Sequence, residues 1–481
     1  MIDPKRISLI AALLWAAAPG ALALTSAPIP AFTVVDDDED EGEHENDEDE
    51  GPKWSAVTGG DVHTGTGATL RGATILSKDG VIEEIGYDLY IPEDAEVLDA
   101  TGYSVYPGLV AVRSAGLFGS TGSIGDSVDP FNRNMVLALA SGLTTAVNGS
   151  EAAKLKYGEI DDLVINDNFF AGLSYSNGNP SGKKQLRDKF KKAAAYLREY
   201  RDWQVKVKSD KELKEPKTSG LDANVVAVLS GTKRAMFNAD DRHDLLEIAR
   251  LAQTFDFRPV ITGAAEGWTV ADELGRAGAM AILTARERGP KDERLERAGG
   301  ASIENAAKLH KAGVQIAIIP AVSGINSLGG IVGRDIIHLP TEAAFAVRGG
   351  LPEAAAIEAI TVVPARLIGA DHRIGTLEEG KDADLIITDG DILHYETFVQ
   401  WAMVDGKVVY DKQSDLFYAH IRPRPEAEIA PEAKTDVGEG EDEVIEAPEE
   451  EESEGEEEGG EEAPEEEGGD DGDSDDGSEG Q

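Results

Sequence analysis

The chain of 481 residues contains no cysteine. Disulfide bonds, thiolate metal ligands and a cysteine nucleophile are therefore excluded. Only 8 histidines are present, so neutral imidazoles for a metal centre or for proton transfer are scarce. The chain also lacks the Gly-x-Ser-x-Gly pattern that places a serine nucleophile on a strand-to-helix turn. Any catalysis must therefore come mainly from carboxylates, amides, hydroxyls and cations.

Long apolar runs are missing beyond the N-terminus. A positively charged start is followed by an apolar run over residues 7–15 and by small residues around Ala23. This order predicts a secretory signal peptide over residues 1–23, cleaved after Ala23. A membrane anchor is the alternative, but the apolar core is too short to span a bilayer comfortably. We expect a secreted or periplasmic protein with bacterial-type export and no membrane span after cleavage.

The formal net charge of −47 is concentrated in two segments. Asp36 to Glu50 has 12 acidic residues among 15, and residues 426–481 have 28 acidic residues and one lysine. Neither segment holds enough apolar residues to offset the entropy lost on ordering. We therefore predict an acidic disordered linker over residues 24–52 and an acidic disordered tail over residues 426–481. Such negative charge also argues against nucleic acid as a partner.

Short strand-like runs occupy both ends of the remaining chain. In residues 53–106, apolar or alternating runs are separated by glycine turns, among them Asp79-Gly80. Residues 375–412 repeat this pattern. A small sheet needs a partner to cover its apolar face. We predict that these two segments form one composite β-sandwich.

The segment between them, residues 107–374, alternates strand-like and helix-like runs. Its length and its alternation of strands and helices predict an α/β fold, specifically a TIM-like (β/α)8 barrel flanked by the composite sandwich. The third and fourth strands cannot be placed between Glu159 and Asn224. Within that gap, residues 183–217 carry 13 Lys or Arg against 6 acids. A solvated helix face is one interpretation of this basic stretch, and an intramolecular dock for an acidic segment is the other.

Two sequence motifs at the ends of the predicted barrel resemble those of a known protein family. Residues 107–115 read Pro-Gly-Leu-Val-Ala-Val-Arg-Ser-Ala, and residues 373–385 read Arg-Ile-Gly-Thr-Leu-Glu-Glu-Gly-Lys-Asp-Ala-Asp-Leu. Together they resemble the entry to and exit from the barrel in the metal-dependent amidohydrolase superfamily, imidazolonepropionase-like branch. The resemblance covers about residues 55–412. It implies hydrolysis of C–N bonds other than peptide bonds, mostly in cyclic amides, at a divalent metal such as zinc.

The same resemblance implies where metal ligands should stand, and this chain has other residues there. In the family, histidines follow the first strand and the sixth, a further ligand follows the fifth, and an acid follows the last. The corresponding residues are Arg113 and Ala115, then Asn238 or Asp240, then Thr262, and finally Pro320 or Ala321. We therefore predict that the protein holds no metal and no other cofactor.

The polar residues left at the predicted strand ends are the candidate site. Asp240 and Glu266 are the candidate catalytic acid–base pair. Arg113, a permanent cation, suits a carboxylate or phosphate. In the alternative interpretation, Arg113 and a nearby acid form a salt bridge that fills the vacated metal position. The candidate substrate-binding residues are Arg113, Asn238, Thr262 and His338, with Ser114 beside them.

Two functions follow from these observations. One is an amidohydrolase-like hydrolase with an unusual site. The other is a non-catalytic relative that binds a ligand or a partner, because a fold alone does not establish a function. A small-molecule ligand fits either function, and homo-oligomerisation stays open.

Overall fold

A computed structural model of the protein describes residues 52–414, apart from residues 120–121, 212, 292–296 and 326–332. The predicted signal peptide and the acidic tail lie outside the described residues, as does the acidic linker up to residue 51. Among the described residues, no helix is long and apolar enough to cross a membrane.

The strands fall into three sheets. Strand-forming runs rich in Val, Ile and Thr end at glycine or aspartate turns, as β-propensity requires. In chain order the strands are β1 (Trp54–His63), β2 (Thr69–Lys78), β3 (Val81–Gly86), β4 (Glu96–Asp99), β5 (Ser104–Pro107), β6 (Leu109–Ser114), β7 (Leu143–Asn148), β8 (Glu151–Lys154), β9 (Val164–Asp167), β10 (Phe170–Gly172), β11 (Arg234–Ala239), β12 (Pro259–Gly263), β13 (Met280–Leu283), β14 (Gln315–Ile318), β15 (Leu385–Thr388), β16 (Val399–Val404) and β17 (Lys407–Asp411).

The helices occur mainly between the strands of the central segment. Two 3₁₀ turns accompany them, over Gly267–Thr269 and Ile336–His338. The α-helices are α1 (Ile124–Ser127), α2 (Arg133–Ala140), α3 (Pro180–Lys206), α4 (Ala223–Ser230), α5 (Arg242–Phe255), α6 (Ala271–Arg276), α7 (Asn305–Lys311), α8 (Leu339–Arg348), α9 (Glu353–Glu358) and α10 (Val362–Leu367).

The largest sheet has eight strands and takes them from both ends of the described chain. Its order is β17-β16-β15-β5-β1-β2-β3, with β4 paired to β1. The first half of β1 pairs with β4 and the second half with β5. A bulge at Gly59 and Gly60 separates the halves, and Gly59 has a φ of 75°, which favours glycine. Bending there lets the sheet curl around its own apolar cluster.

The central segment has the α/β character that its sequence predicts. A five-stranded parallel sheet runs β10-β11-β12-β13-β14, and a four-stranded sheet runs β6-β7-β8-β9. Strand pairing among the described residues does not join the two sheets into one ring. The region that the sequence left unplaced contains β9, β10, α3 and the start of α4.

Side chains alternate between two apolar layers along these strands. In β12, Ile261 packs in the cluster that contains Ile248 of helix α5. Its neighbour Val260 points the other way, into a cluster that contains Val112 and Ile282 of other strands. Helix α10 contributes to this inner cluster. The space beside these strands is therefore filled by apolar side chains.

The basic stretch forms most of helix α3. Phe190 is fully buried there and stacks on Phe257, with 5.1 Å between the ring centroids. Lysines of the same helix, such as Lys191 and Lys192, are exposed. One face of the helix thus packs on the core while its basic face meets solvent, which is the first of the two interpretations. A dock for an acidic segment stays a prediction.

Candidate functional site

Polar side chains follow the inner apolar layer at the C-terminal ends of four strands. Met236, Val260 and Ile282 belong to or pack against the inner cluster. Because side chains two residues apart share a face of a strand, the next inward positions lie one step nearer the C-terminal end. The next inward positions on these three strands are Asn238, Thr262 and Thr284. On β6, the corresponding position two residues after Val112 is Ser114.

The hydroxyls of this set are tied to neighbouring strands. Ser114 Oγ donates to the carbonyl of Val147 at 2.8 Å. Thr262 Oγ1 donates to the carbonyl of Phe237 at 3.3 Å. Thr284 Oγ1 donates to the carbonyl of Ile319 at 3.0 Å. Each hydroxyl thus donates its hydrogen bond to the backbone of a neighbouring strand. Its oxygen lone pairs stay available to accept a hydrogen bond from a ligand.

Asn238 and Thr262 are brought together, as expected for two substrate-binding residues. They are direct partners in the register of β11 and β12. Thr262 Oγ1 lies 3.4 Å from Asn238 Oδ1, and the Asn238 side chain is exposed. An exposed amide offers both a donor and an acceptor, which matches the two faces of an amide ligand.

Arg113 occupies the penultimate position of β6 and is exposed. Ser114, rather than Arg113, continues the inward face of Val112. The Arg113 side chain forms no hydrogen bond or ion pair with any other residue within the described ranges. The salt bridge proposed for the vacated metal position therefore has no partner in that part of the chain.

Glu266 is held by three donors in the loop after β12. Its carboxylate accepts from the backbone N–H of Gly300 at 2.8 Å and of Arg242 at 3.0 Å. Arg297 Nη1 lies 3.2 Å away. Partial burial raises the pKa of Glu266, but these donors outweigh it and hold the pKa below its ordinary value. Glu266 is thus a fixed, ionised carboxylate and a poor proton donor.

Asp240 and Glu266 lie in adjacent loops that are hydrogen-bonded to each other. The backbone N–H of Glu266 donates to the backbone carbonyl of Asp240 at 3.0 Å. Asp240 Oδ1 accepts from the N–H of Ala265 at 3.2 Å. The two loops are therefore adjacent, but the carboxylate of Glu266 is turned to Arg297 and Gly300. An acid–base pair would need Glu266 to leave those donors.

His338 has its polar contact in a different part of the chain. Its Nδ1 contacts the carboxylate of Asp335 in the 3₁₀ turn before α8. The ring also lines a cavity of about 270 Å³ with Leu137 and His394. Among the other histidines, His243 on α5 and His310 on α7 are exposed.

Sequence reasoning missed Thr284 and the charged pair that follows it. Arg286 donates from its backbone N–H and from Nε to the carboxylate of Glu342, both at 2.7 Å. Glu342 is fully buried. Arg113 is a candidate because it is a charged residue at the end of a buried strand. The same pattern occurs at Thr284 and Arg286 and could have identified them.

The donor set at these strand ends does not fit the family's metal. A divalent ion of the zinc type needs imidazoles or carboxylates converging at about 2.0–2.2 Å. The inward positions instead offer an amide and hydroxyls whose protons bind neighbouring carbonyls. Within the described ranges, no three His, Cys, Asp or Glu residues are grouped to hold a metal ion.

Comparison with known proteins gives one family over most of the folded chain. The model of the amidohydrolase family matches residues 127–415. Among solved structures, an amidohydrolase from Thermotoga maritima MSB8 superposes with a TM-score of 0.57 and 25% identity. That match covers 74% of this chain and 99% of the other. The comparison supports an α/β amidohydrolase-type fold with an accompanying β-rich domain.

Two curated relatives match shorter stretches. The amidohydrolase tasK of Hapsidospora irregularis is 31% identical over 113 residues, which are 24% of this chain and 11% of that protein. An N-acetylglucosamine-6-phosphate deacetylase of Danio rerio is 44% identical over 55 residues, 11% of this chain and 14% of that protein. The chain thus spans a small part of each relative. Both similarities support a relationship to hydrolases.

Proposed function

Because this chain belongs to the amidohydrolase family, we propose that its strand-end residues bind a small amide-containing molecule. The family and the relatives above support a protein of the hydrolase class. The resemblance of residues 107–115 and 373–385 favours the imidazolonepropionase-like branch, and hence a cyclic amide as the ligand. Its C–N bond would be one other than a peptide bond.

We also propose that the two sheets of the central segment belong to one TIM-like barrel. Backbone hydrogen bonds support this arrangement. The N–H of Val110 in β6 donates to Ile360, and the N–H of Ile318 in β14 donates to Ala359, both at 2.9 Å. The short stretch over residues 359–360 thus bridges the first and last strands, where an eighth strand would lie.

Binding without metal-dependent hydrolysis is the function that the geometry supports best. The observation that carries it is the hydroxyl of Thr262, which is hydrogen-bonded to the carbonyl of Phe237 in the adjacent strand. Thr262 stands at the family's sixth-strand histidine position. Asn238 beside it can pair with both the carbonyl and the N–H of an amide. Arg113 would attract a ligand with a carboxylate.

A metal-free hydrolase is the second candidate, and the adjacency of Asp240 and Glu266 favours it. A carboxylate can activate water directly if it is close to the scissile carbonyl. Asp240 is better placed for this than Glu266, since Glu266 is bound by its three donors. In this candidate Asp240 acts as a general base and Glu266 only positions the loop.

Titration calorimetry with a panel of cyclic amides tests both candidates. We expect saturable binding that weakens at least tenfold in Asn238→Ala and stays unchanged in Arg348→Gln, an exposed position at the end of α8. The ligand should be recovered intact by chromatography after incubation. Ring-opened product that disappears in Asp240→Asn would instead establish the second candidate. Absence of binding to every amide of the panel would overturn the proposal.

We further propose that the protein is exported, on the strength of the charged, apolar and small-residue order before Leu24. Expression in a bacterial host followed by intact-mass analysis of the periplasmic and medium fractions tests this. The mature chain should begin at or near Leu24. Recovery only of chains that retain Met1, in the cytoplasm, would contradict export.

A further inference from the structure

A large cavity opens at the end of the strands opposite to the candidate site. Its volume is about 850 Å³. Arg234 begins strand β11, Arg258 directly precedes β12, and Gly278 lies two residues before β13; all three line this cavity. It is therefore built from loops at the N-terminal ends of parallel strands, whereas Asn238 and Thr262 stand at the C-terminal ends. The two places are separated by the inner apolar layer.

The lining of this cavity is strongly cationic. Of its described lining residues, one is acidic, Asp256, and four are basic. The basic residues are Lys233, Arg234, Arg258 and Arg276.

These cations have little internal compensation. Within the described ranges, Lys233 and Arg258 form no ion pair or hydrogen bond through their side chains. The guanidinium of Arg234 is partly buried, and the polar contact it makes is to the sulfur of Met280 at 3.9 Å. Arg276 pairs weakly with Glu273 at 3.7 Å.

Among these cations, the pKa of Arg234 is lowered by its surroundings. Burial lowers its pKa, the nearby Asp371 opposes that shift, and the like charge of Arg258 adds to it. A partly buried guanidinium beside a second cation is unfavourable unless an anion joins them. The fold thus holds together charges that an anionic ligand would stabilise.

We propose that this cavity binds a small molecule that carries phosphate groups. Guanidinium groups pair with phosphate through parallel hydrogen bonds, and a lysine adds a point charge. The volume lies within the range of about 300–1,000 Å³ typical of small-molecule sites, so it accommodates a phosphate ester and not only free phosphate. This site is independent of the amide-binding function proposed above.

Inorganic pyrophosphate is the probe for this site. In calorimetry at physiological salt, we expect saturable binding to the full chain and a rise in its melting temperature. Lys233→Gln with Arg258→Gln should weaken binding at least tenfold, because both residues line the cavity and neither side chain has an ion-pair partner in the described part of the chain. The matched control is Arg348→Gln, which removes an exposed arginine that does not line the cavity and should bind as the unmodified chain does.

A second readout separates binding from folding. Removing Arg258 relieves the repulsion on Arg234, so Arg258→Gln should melt no lower than the unmodified chain without pyrophosphate and gain less from it. Succinate, a dicarboxylate, should bind at least tenfold more weakly than pyrophosphate. The proposal is overturned if pyrophosphate does not bind, if the double variant binds it equally well, if the control loses as much affinity, or if succinate binds as tightly.

Discussion

Lys154 and Asp384 form an ion pair in the interior, with 3.0 Å between Nζ and the carboxylate. The Lys154 side chain is fully withdrawn from solvent, and its ammonium also contacts Asp382 at 2.7 Å and Asp405 at 2.5 Å. Burial lowers the pKa of Lys154, but the surrounding carboxylates outweigh it and raise the pKa. This cluster joins β8 to the turns that flank β15 and β16.

Replacing Lys154 by methionine is expected to destabilise the protein by about 3–5 kcal/mol, because it leaves the buried Asp384 without a counter-charge. Urea unfolding of Lys154→Met measures this loss. The control is Lys407→Met, which breaks the exposed pair with Glu159 at 2.8 Å and should cost less than about 1 kcal/mol. Equal losses in both variants would contradict the role of the buried cluster.

The lowered pKa of Glu266 should make the stability of the protein depend on pH. Its pKa is lowered in the folded state, so its contribution is fully present above its ordinary pKa of 4.5 and is lost as the pH falls through the lower folded value. Glu266→Gln should therefore cost about 1–3 kcal/mol at pH 7 and flatten the acid side of the stability profile. Denaturant unfolding between pH 2 and pH 7 checks this.

The control for that profile is Glu83→Gln, at an exposed position of β3. It should leave the acid side of the profile as steep as in the unmodified chain. If Glu266→Gln leaves the slope equally unchanged, then the contacts with Gly300, Arg242 and Arg297 do not hold the carboxylate ionised.

Gly108 connects β5 to β6 where no side chain fits. A Cβ there would lie 2.0 Å from Oγ1 of the buried Thr144, and the Gly108 N–H donates to the backbone carbonyl of Asp384 at 3.0 Å. Gly108→Ala should destabilise the protein by about 1–3 kcal/mol through overpacking. Gly172→Ala, where a Cβ would meet nothing within 4 Å, is the matched control in thermal unfolding and should change the stability little. Similar melting temperatures for both variants would contradict the steric argument.

The sequence predicted the α/β class because period-2 and period-3.6 patterns persist in each element, as in β12 and α5. It did not locate β9 and β10, since short half-exposed strands leave little periodicity. The positions of Asn238 and Thr262 followed from the family resemblance and the predicted strand ends, and the structure added their register. The hydrogen bonds of Glu266 could not be predicted, because Arg297 and Gly300 come from a loop far along the chain.

Elemental analysis of the purified protein tests the central claim most directly, namely that the family's metal site has been replaced by hydroxyls and an amide around Thr262 and Asn238. The account predicts well below one zinc, iron or manganese per chain. It also predicts a melting temperature that a chelator leaves unchanged. Close to one transition-metal ion per chain, removed by the chelator with loss of stability, would contradict it and assign the protein to the metal-dependent hydrolases.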